Sequence, residues 1–182
     1  RPGGNTEALT RHALDAIAEE GVATELIRLA EYNVQPCNGC LVCRKEKTLE
    51  ECPIKDDLMP LYARLKEADA VILASPVYFG SVTALLKAFM ERTGYLSRAR
   101  GAFAGKIGGP LVVGRRSGHN FALAQILLWY QILEFTVPGS SYWNVAFAGG
   151  KGEVTGDEEG MKTIWRFGKN VARLVKATAG QD

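Results

Sequence analysis

The stretch Ala70-Val71-Ile72-Leu73-Ala74-Ser75-Pro76-Val77-Tyr78-Phe79-Gly80 runs apolar and then stops abruptly in a turn that holds proline, glycine and two aromatic rings. An unbroken apolar run fits a strand covered on both faces, the habit of a central parallel strand in an α/β sheet; a strand with one wet face alternates instead. The exit turn then stands at the carboxyl edge of the sheet, where open α/β sheets bind ligands. Ser75, Pro76, Val77, Tyr78, Phe79 and Gly80 offer backbone N–H groups and flat rings, suited to a flat, partly polar cofactor. The same residues also fit an ordinary strand-to-helix turn with two packed aromatics.

Upstream, Arg1-Pro2-Gly3-Gly4-Asn5-Thr6 reads as a loop. It is followed by an amphipathic helix over Glu7 to Glu20, with Leu9, Ala13, Ile17 and Ala18 on one side and Gly21 as its stop. Thr24 to Leu29 reads as a strand, and Asn33 to Cys52 as a long irregular connection that holds every cysteine. Asp56 or Asp57 is placed to cap a short helix ending at Glu67. Downstream, the pattern predicts a helix from Ser81 to Arg92 and a strand from Lys106 to Gly114, weakened by Gly108, Gly109 and Pro110. A helix follows from Asn120 to Phe135, apolar nearly all round, so that it asks for burial on two sides; a subunit interface supplies the second. A strand at Tyr142 to Phe147, a polar loop at Gly149 to Gly156 and a final helix at Glu158 to Thr178 complete the chain. That last helix is expected to turn Met161, Ile164, Trp165, Gly168, Val171, Ala172 and Val175 inward. Alternating strands and helices predict an α/β fold, a doubly wound parallel sheet of flavodoxin-like order 2-1-3-4-5. Its first strand is missing or truncated here and is expected to end just before Arg1, so the natural product is expected to extend upstream.

The 182 residues are most simply one domain, spanning 1–182 with a cysteine-rich insertion at 33–55. Hydrophobic content of 47% and charged content of 23% are ordinary for a globular chain, which sets aside disordered and fibrous classes. A net charge of +2 gives no argument for nucleic acid. Arg92, Arg98, Arg100, Lys106, Arg115 and Arg116 do concentrate positive charge mid-chain, where an anionic ligand would be attracted; the first four read equally well as a solvated basic face. Gln125, Gln131 and Glu134 interrupt the best apolar run, so no membrane helix is expected. With no charged-then-apolar leader, the expected compartment is the cytoplasm, where thiols stay reduced.

Gly4, Asn5 and Thr6 stand at a helix N-terminus, where unpaired backbone donors and the helix dipole favour an anion such as phosphate; Arg1 adds a complementary charge. Alternatively, Asn5 or Thr6 is simply the N-cap. A third edge loop holds Gly114, Arg115, Arg116, Gly118 and His119, the histidine fitting either a ring contact or a helix cap. Three such loops at one edge favour a mononucleotide site over three coincidences. Cys37, Cys40 and Cys43 at successive x2 gaps, with Cys52-Pro53 beyond, match the thiolate run of an iron–sulfur cluster; zinc and free thiols are the other readings. His12 reads as surface or packing. No Ser-His-Asp elbow and no H-E-x-x-H motif supports hydrolysis.

On these residues, together with Asp56-Asp57, Ala68-Asp69-Ala70, Lys87 and Asp157-Glu158-Glu159-Gly160, the chain resembles the NADPH-dependent FMN reductase-like flavoproteins, and within them the iron–sulfur flavoproteins. The resemblance implies FMN, with phosphate in the Gly4-Asn5-Thr6 loop, isoalloxazine against Pro76 to Gly80, and Gly114 to His119 along the flavin's other edge. It also implies a [4Fe-4S] cluster on Cys37, Cys40, Cys43 and Cys52, a homodimer or homotetramer, and NAD(P)H or a ferredoxin-type protein as electron partner. The gap before Cys52 is longer than in the compact motif of that group. A cluster-free NAD(P)H-dependent FMN or quinone reductase and a non-enzymatic electron carrier or redox sensor are the competing functions. No side chain is expected to act as an essential acid or base.

Overall fold

The computed structural model describes residues 2–45 and 51–179. Three strands, β1 (Ala70–Pro76), β2 (Ile107–Gly114) and β3 (Val145–Phe147), form a parallel sheet in the order β1-β2-β3. Ala70 stands opposite Ile107, and Val112 opposite Val145. Helices α1 (Asn5–Glu19) and α6 (Glu158–Thr178) cover one face of the sheet. The other face carries α3 (Leu58–Glu67), α4 (Ala84–Arg98) and α5 (His119–Ile132). A short α2 (Val42–Lys45) packs against α4. The fold is the expected α/β class.

Alternation along each strand divides the core. Val71, Leu73 and Val112 face the α3/α4/α5 layer, while Ile72, Ala74, Leu111 and Val113 face α1 and α6. Among the described residues β1 has one ladder neighbour, and the central, wholly buried strand is β2. The glycines that weakened the expectation for β2 let its neighbours close in. A Cβ on Gly108 would lie 2.3 Å from Val71 O, and one on Gly109 would lie 2.8 Å from the Phe167 ring. Pro110 brings no N–H to the ladder, and the buried Tyr130 hydroxyl enters there. It accepts from Leu73 N at 2.8 Å and lies 2.9 Å from Val71 O and 3.0 Å from Gly109 O, as possible acceptors of its proton. Burial pushes its acidity far down, so this proton stays on oxygen.

Several expectations are corrected. Thr24 to Leu29 forms no strand; the segment has no ladder among the described residues and ends in a 3-10 turn at Leu29–Glu31, because local β propensity needs a neighbouring strand to pair with. In α1 the buried stripe includes Ala16, and Ala18 is exposed. Helix α4 begins later than expected, capped by the Thr83 side chain (Leu86 N donating at 3.2 Å), and runs on through Gly94 to Arg98. Gly94 is tolerated because α5 comes close there: a Cβ would lie 3.1 Å from Trp129 Nε1. Strand β3 is shorter than expected, leaving Tyr142 and Trp143 exposed before it. Helix α6 buries Phe167, while Trp165 is partly exposed and stacks on His12 at 5.0 Å.

Candidate functional site

The carboxyl ends of the three strands and the N-terminus of α1 come to one edge of the sheet. Gly4 is the N-cap of α1 and makes no side-chain capping bond, so neither Asn5 nor Thr6 is the cap. The first-turn N–H groups of any α-helix lack intrahelical partners, which leaves this terminus suited to an anion. The Asn5 side chain ties it to the loop after β3: Nδ2 donates to Gly150 O at 2.7 Å, and Oδ1 accepts from Gly152 N at 2.8 Å. Glu7 accepts from Gly3 N at 3.0 Å and pairs with Arg11 at 2.8 Å. The Arg11 hydrogen bond, aided by Gly3 N and Arg28, holds its carboxyl below the usual range. Lys151, with no motif to announce it, reaches the same place: a Cβ on Gly3 would lie 3.4 Å from its Cε and 3.6 Å from its Nζ. The glycine-rich run Gly149-Gly150-Lys151-Gly152 is the signal that could have found it. Arg1 lies outside the described residues.

The turn after β1 closes on itself. Tyr78 N donates to Ser81 O at 2.9 Å and Ser81 N to Tyr78 O at 3.0 Å. Phe79 and Gly80 at its tip both have positive φ, +50° and +75°. Two positive φ values in succession are the mark of a type I′ turn, whose first position glycine or asparagine normally occupies. Phenylalanine there is strained, and strain of this kind gathers at functional sites. Both rings face outward: Tyr78 is 62% exposed and Phe79 fully so. The reading as a turn with two packed aromatics is therefore corrected.

The turn after β2 packs against the one after β1. Val77 N donates to Val113 O at 2.8 Å. Gly118, with φ +91°, would place a Cβ 2.8 Å from Val77 Cγ1 and 3.0 Å from Gly80 Cα, so glycine is needed for this approach. Arg115 and Arg116 are exposed, with Arg115 lying beside Gly149. Two expected contacts have other work for their side chains. Ser75 is buried, donates to Pro76 O at 2.9 Å and accepts from Thr83 N at 3.1 Å. His119 is also buried, with Nε2 lying 3.2 Å from Gly114 O and 3.1 Å from Ala146 O. Both neighbours are acceptors, so Nε2 carries the proton and ties the ends of β2 and β3 together.

The cysteines lie on the α4 side of the sheet. All four thiols are free; Cys43, on α2, and Cys52 pack against the core there. Burial, and then the nearby Cys40, Cys37 and Cys52, push the Cys43 thiol up. Four cysteines are by their chemistry the donor set of an iron–sulfur cluster, but among the described residues no three histidine, cysteine or acidic side chains converge closely enough to hold a single ion. Segment 46–50, between Cys43 and Cys52, lies outside the described residues.

Arg92 is the largest correction to the expected basic face: it is 2% exposed, and its guanidinium forks onto Asp56. Burial would raise the Asp56 pKa, but Arg92 and the N–H groups of Gln35 and Leu58 outweigh it and hold the carboxyl low. Lys106 serves the opposite edge, donating to Lys66 O at 2.8 Å and Ala68 O at 2.6 Å.

With this geometry in view, likeness to known proteins is specific. The family of NADPH-dependent FMN reductases matches residues 1–150. An iron-sulfur flavoprotein of Methanocaldococcus jannaschii is 40% identical over 183 residues, 97% of this chain and 93% of its own. In fold, the chain is similar to RosB bound to 8-demethyl-8-formylriboflavin-5'-phosphate, with a TM-score of 0.77 at 19% identity over 98% of this chain and 75% of that one. It is also similar to a flavodoxin from the domain Archaea, with a TM-score of 0.63 at 19% identity over 97% and 94%. The chain belongs to the NADPH-dependent FMN reductase family and is a flavin-dependent oxidoreductase of flavodoxin-like fold.

Proposed function

We propose that residues 1–182 form one FMN-binding domain of an iron–sulfur flavoprotein, which exchanges electrons between FMN at the carboxyl edge and a [4Fe-4S] cluster on Cys37, Cys40, Cys43 and Cys52. The observation that carries the flavin seat is the Tyr78–Ser81 turn, with its strained, outward-facing Phe79 and with Gly118 packed close against Val77 and Gly80. The phosphate falls to the first turn of α1, with Asn5 fixing the loop that brings Lys151 beside Gly3. Arg115 and Arg116 supply further positive charge at the same edge. FMN, when bound, accepts a hydride or single electrons at its ring, and the chain's part is to bind, orient and tune it.

The cluster reading is supported by the spacing of the cysteines and by the name of the 40% identical relative described above. A cluster supplies one-electron transfer. NAD(P)H or a ferredoxin-type protein is the proposed electron partner, and the cytoplasm the proposed compartment; among the described residues no helix is long and apolar enough to cross a membrane. Phe121, Leu128 and Ile132 on the open face of α5 suit a homodimer or homotetramer.

One observation favours a second reading, a cluster-free NAD(P)H-dependent flavin or quinone reductase: the described cysteines do not converge on a single ion. Anaerobic purification with flavin, iron, sulfide and zinc assayed per subunit separates the two. One FMN with about four irons supports the cluster; FMN with no iron supports the second reading, and stoichiometric zinc overturns the cluster. NAD(P)H turnover with quinone or ferricyanide then separates either enzyme from a mere electron carrier.

A further inference from the structure

Arg92 stands in the third turn of α4, away from every loop of the flavin edge. A guanidinium has five N–H donors. Its Nη1 donates to Gln35 O at 3.1 Å and to Asp56 Oδ2, and its Nη2 to Ile54 O at 3.3 Å and Asp56 Oδ1 at 3.1 Å. Nε, equally buried, has no acceptor at hydrogen-bonding geometry among the described residues. Cys52, two residues before the Ile54 that Nη2 holds, is one of the groups that keep the proton on this guanidinium.

The oxygens that Arg92 holds stand on both flanks of the cysteine segment: Gln35 precedes Cys37, while Ile54 and Asp56 follow Cys52. Asp56 also accepts from Gln35 N at 2.8 Å, so the two flanks are stapled at the point where α4 grips them. Neutralising Asp56 requires none of the backbone carbonyls. The fork thus reaches both flanks of the loop and keeps one buried N–H without an acceptor. The same helix starts where the flavin turn ends, with Thr83 as its cap, and Arg92 lies about 12 Å along its axis from Ala84.

We propose that Arg92 is the positioning residue of the cysteine site: it holds both flanks of the segment in register on α4 and donates its Nε–H to the Cys52 sulfur when that sulfur is a cluster thiolate. This inference rests on the cluster reading above. Hydrogen bonds to cluster sulfurs tune the reduction potential, and partners just outside the ligand shell control metal retention.

The test compares wild-type holoprotein with Arg92→Lys, which keeps the charge opposite Asp56 but loses the fork and the Nε–H. Iron and FMN are assayed per subunit, iron loss to a chelator is timed, and the cluster midpoint potential is measured by EPR-monitored titration. The expected result is unchanged FMN content, iron loss about tenfold faster and a midpoint potential shifted downward. Should Arg92→Lys fail to fold, the double variant Arg92→Met with Asp56→Leu removes the pair without stranding a charge; the same shifts are expected of it. A purely structural role would leave the potential unmoved. A loaded wild type with a variant of unchanged iron retention and potential overturns the proposal alone. A wild type without iron overturns the cluster reading and the proposal together.

Discussion

Phe79→Gly separates the cost of the flavin turn from its use. Phe79 is held at φ +50° with its ring fully in solvent, so the ligand-free fold gains no packing from it and bears its backbone strain. A left-handed non-glycine residue costs about 1–2 kcal/mol, and glycine returns about 0.5–1 kcal/mol of that through the entropy of its unfolded chain. The substitution should therefore leave stability unchanged or raise it by up to about 1.5 kcal/mol, equivalent to a Tm rise of up to about 5 °C. Flavin binding should move the other way. Losing an aromatic stacking partner costs about 0.5–1.5 kcal/mol, roughly a two- to tenfold rise in the FMN Kd. Thermal melts of the flavin-free protein and fluorescence titration with FMN read the two effects separately. Phe79→Leu, which keeps the strain and loses the ring, should weaken FMN equally with no gain in Tm. If Phe79→Gly binds FMN as tightly as wild type, the turn is not the flavin seat; if it loses more than about 1 kcal/mol of stability, the strain argument is wrong.

Other outcomes follow from the core and the buried pair. Asp56 has a folded pKa below its unfolded value of about 3.9. Its contribution is thus complete above about pH 4 and is lost as the pH falls through the lowered folded value. Urea midpoints should be flat near neutrality and fall below about pH 4; Asp56→Asn, which strands a buried guanidinium, should cost about 3–5 kcal/mol at pH 7. An Asp56→Asn protein as stable as wild type would remove the staple from the account. Tyr130→Phe leaves Leu73 N–H buried without an acceptor and should cost about 1–3 kcal/mol in urea unfolding. An unchanged midpoint would mean that another group satisfies this break in the ladder.

The sheet and its edge were legible because they rest on local patterns. The apolar run at Ala70 located β1, and Gly4, Tyr78-Phe79-Gly80 and Gly114 to Gly118 marked the edge loops before their packing was visible. What stayed hidden depends on residues far apart in the chain. Thr24 to Leu29 has the composition of a strand but no ladder among the described residues. Arg92 reads as solvated until Asp56, 36 residues away, is seen to pair with it. Ser75 and His119 have chemistry suited to a ligand, yet the surrounding backbone claims both side chains, a competition invisible in residue type or spacing. Lys151 reaches the α1 terminus through the packing of the loop after β3.

The most direct measurement of the central claim is an amide NMR titration of the flavin-free protein with FMN. The account predicts the largest shifts at Asn5 to Glu7, Tyr78 to Gly80 and Arg115 to Gly118. Shifts confined to the groove between Tyr142 and Lys162 at the start of α6, with those three loops unmoved, would contradict it.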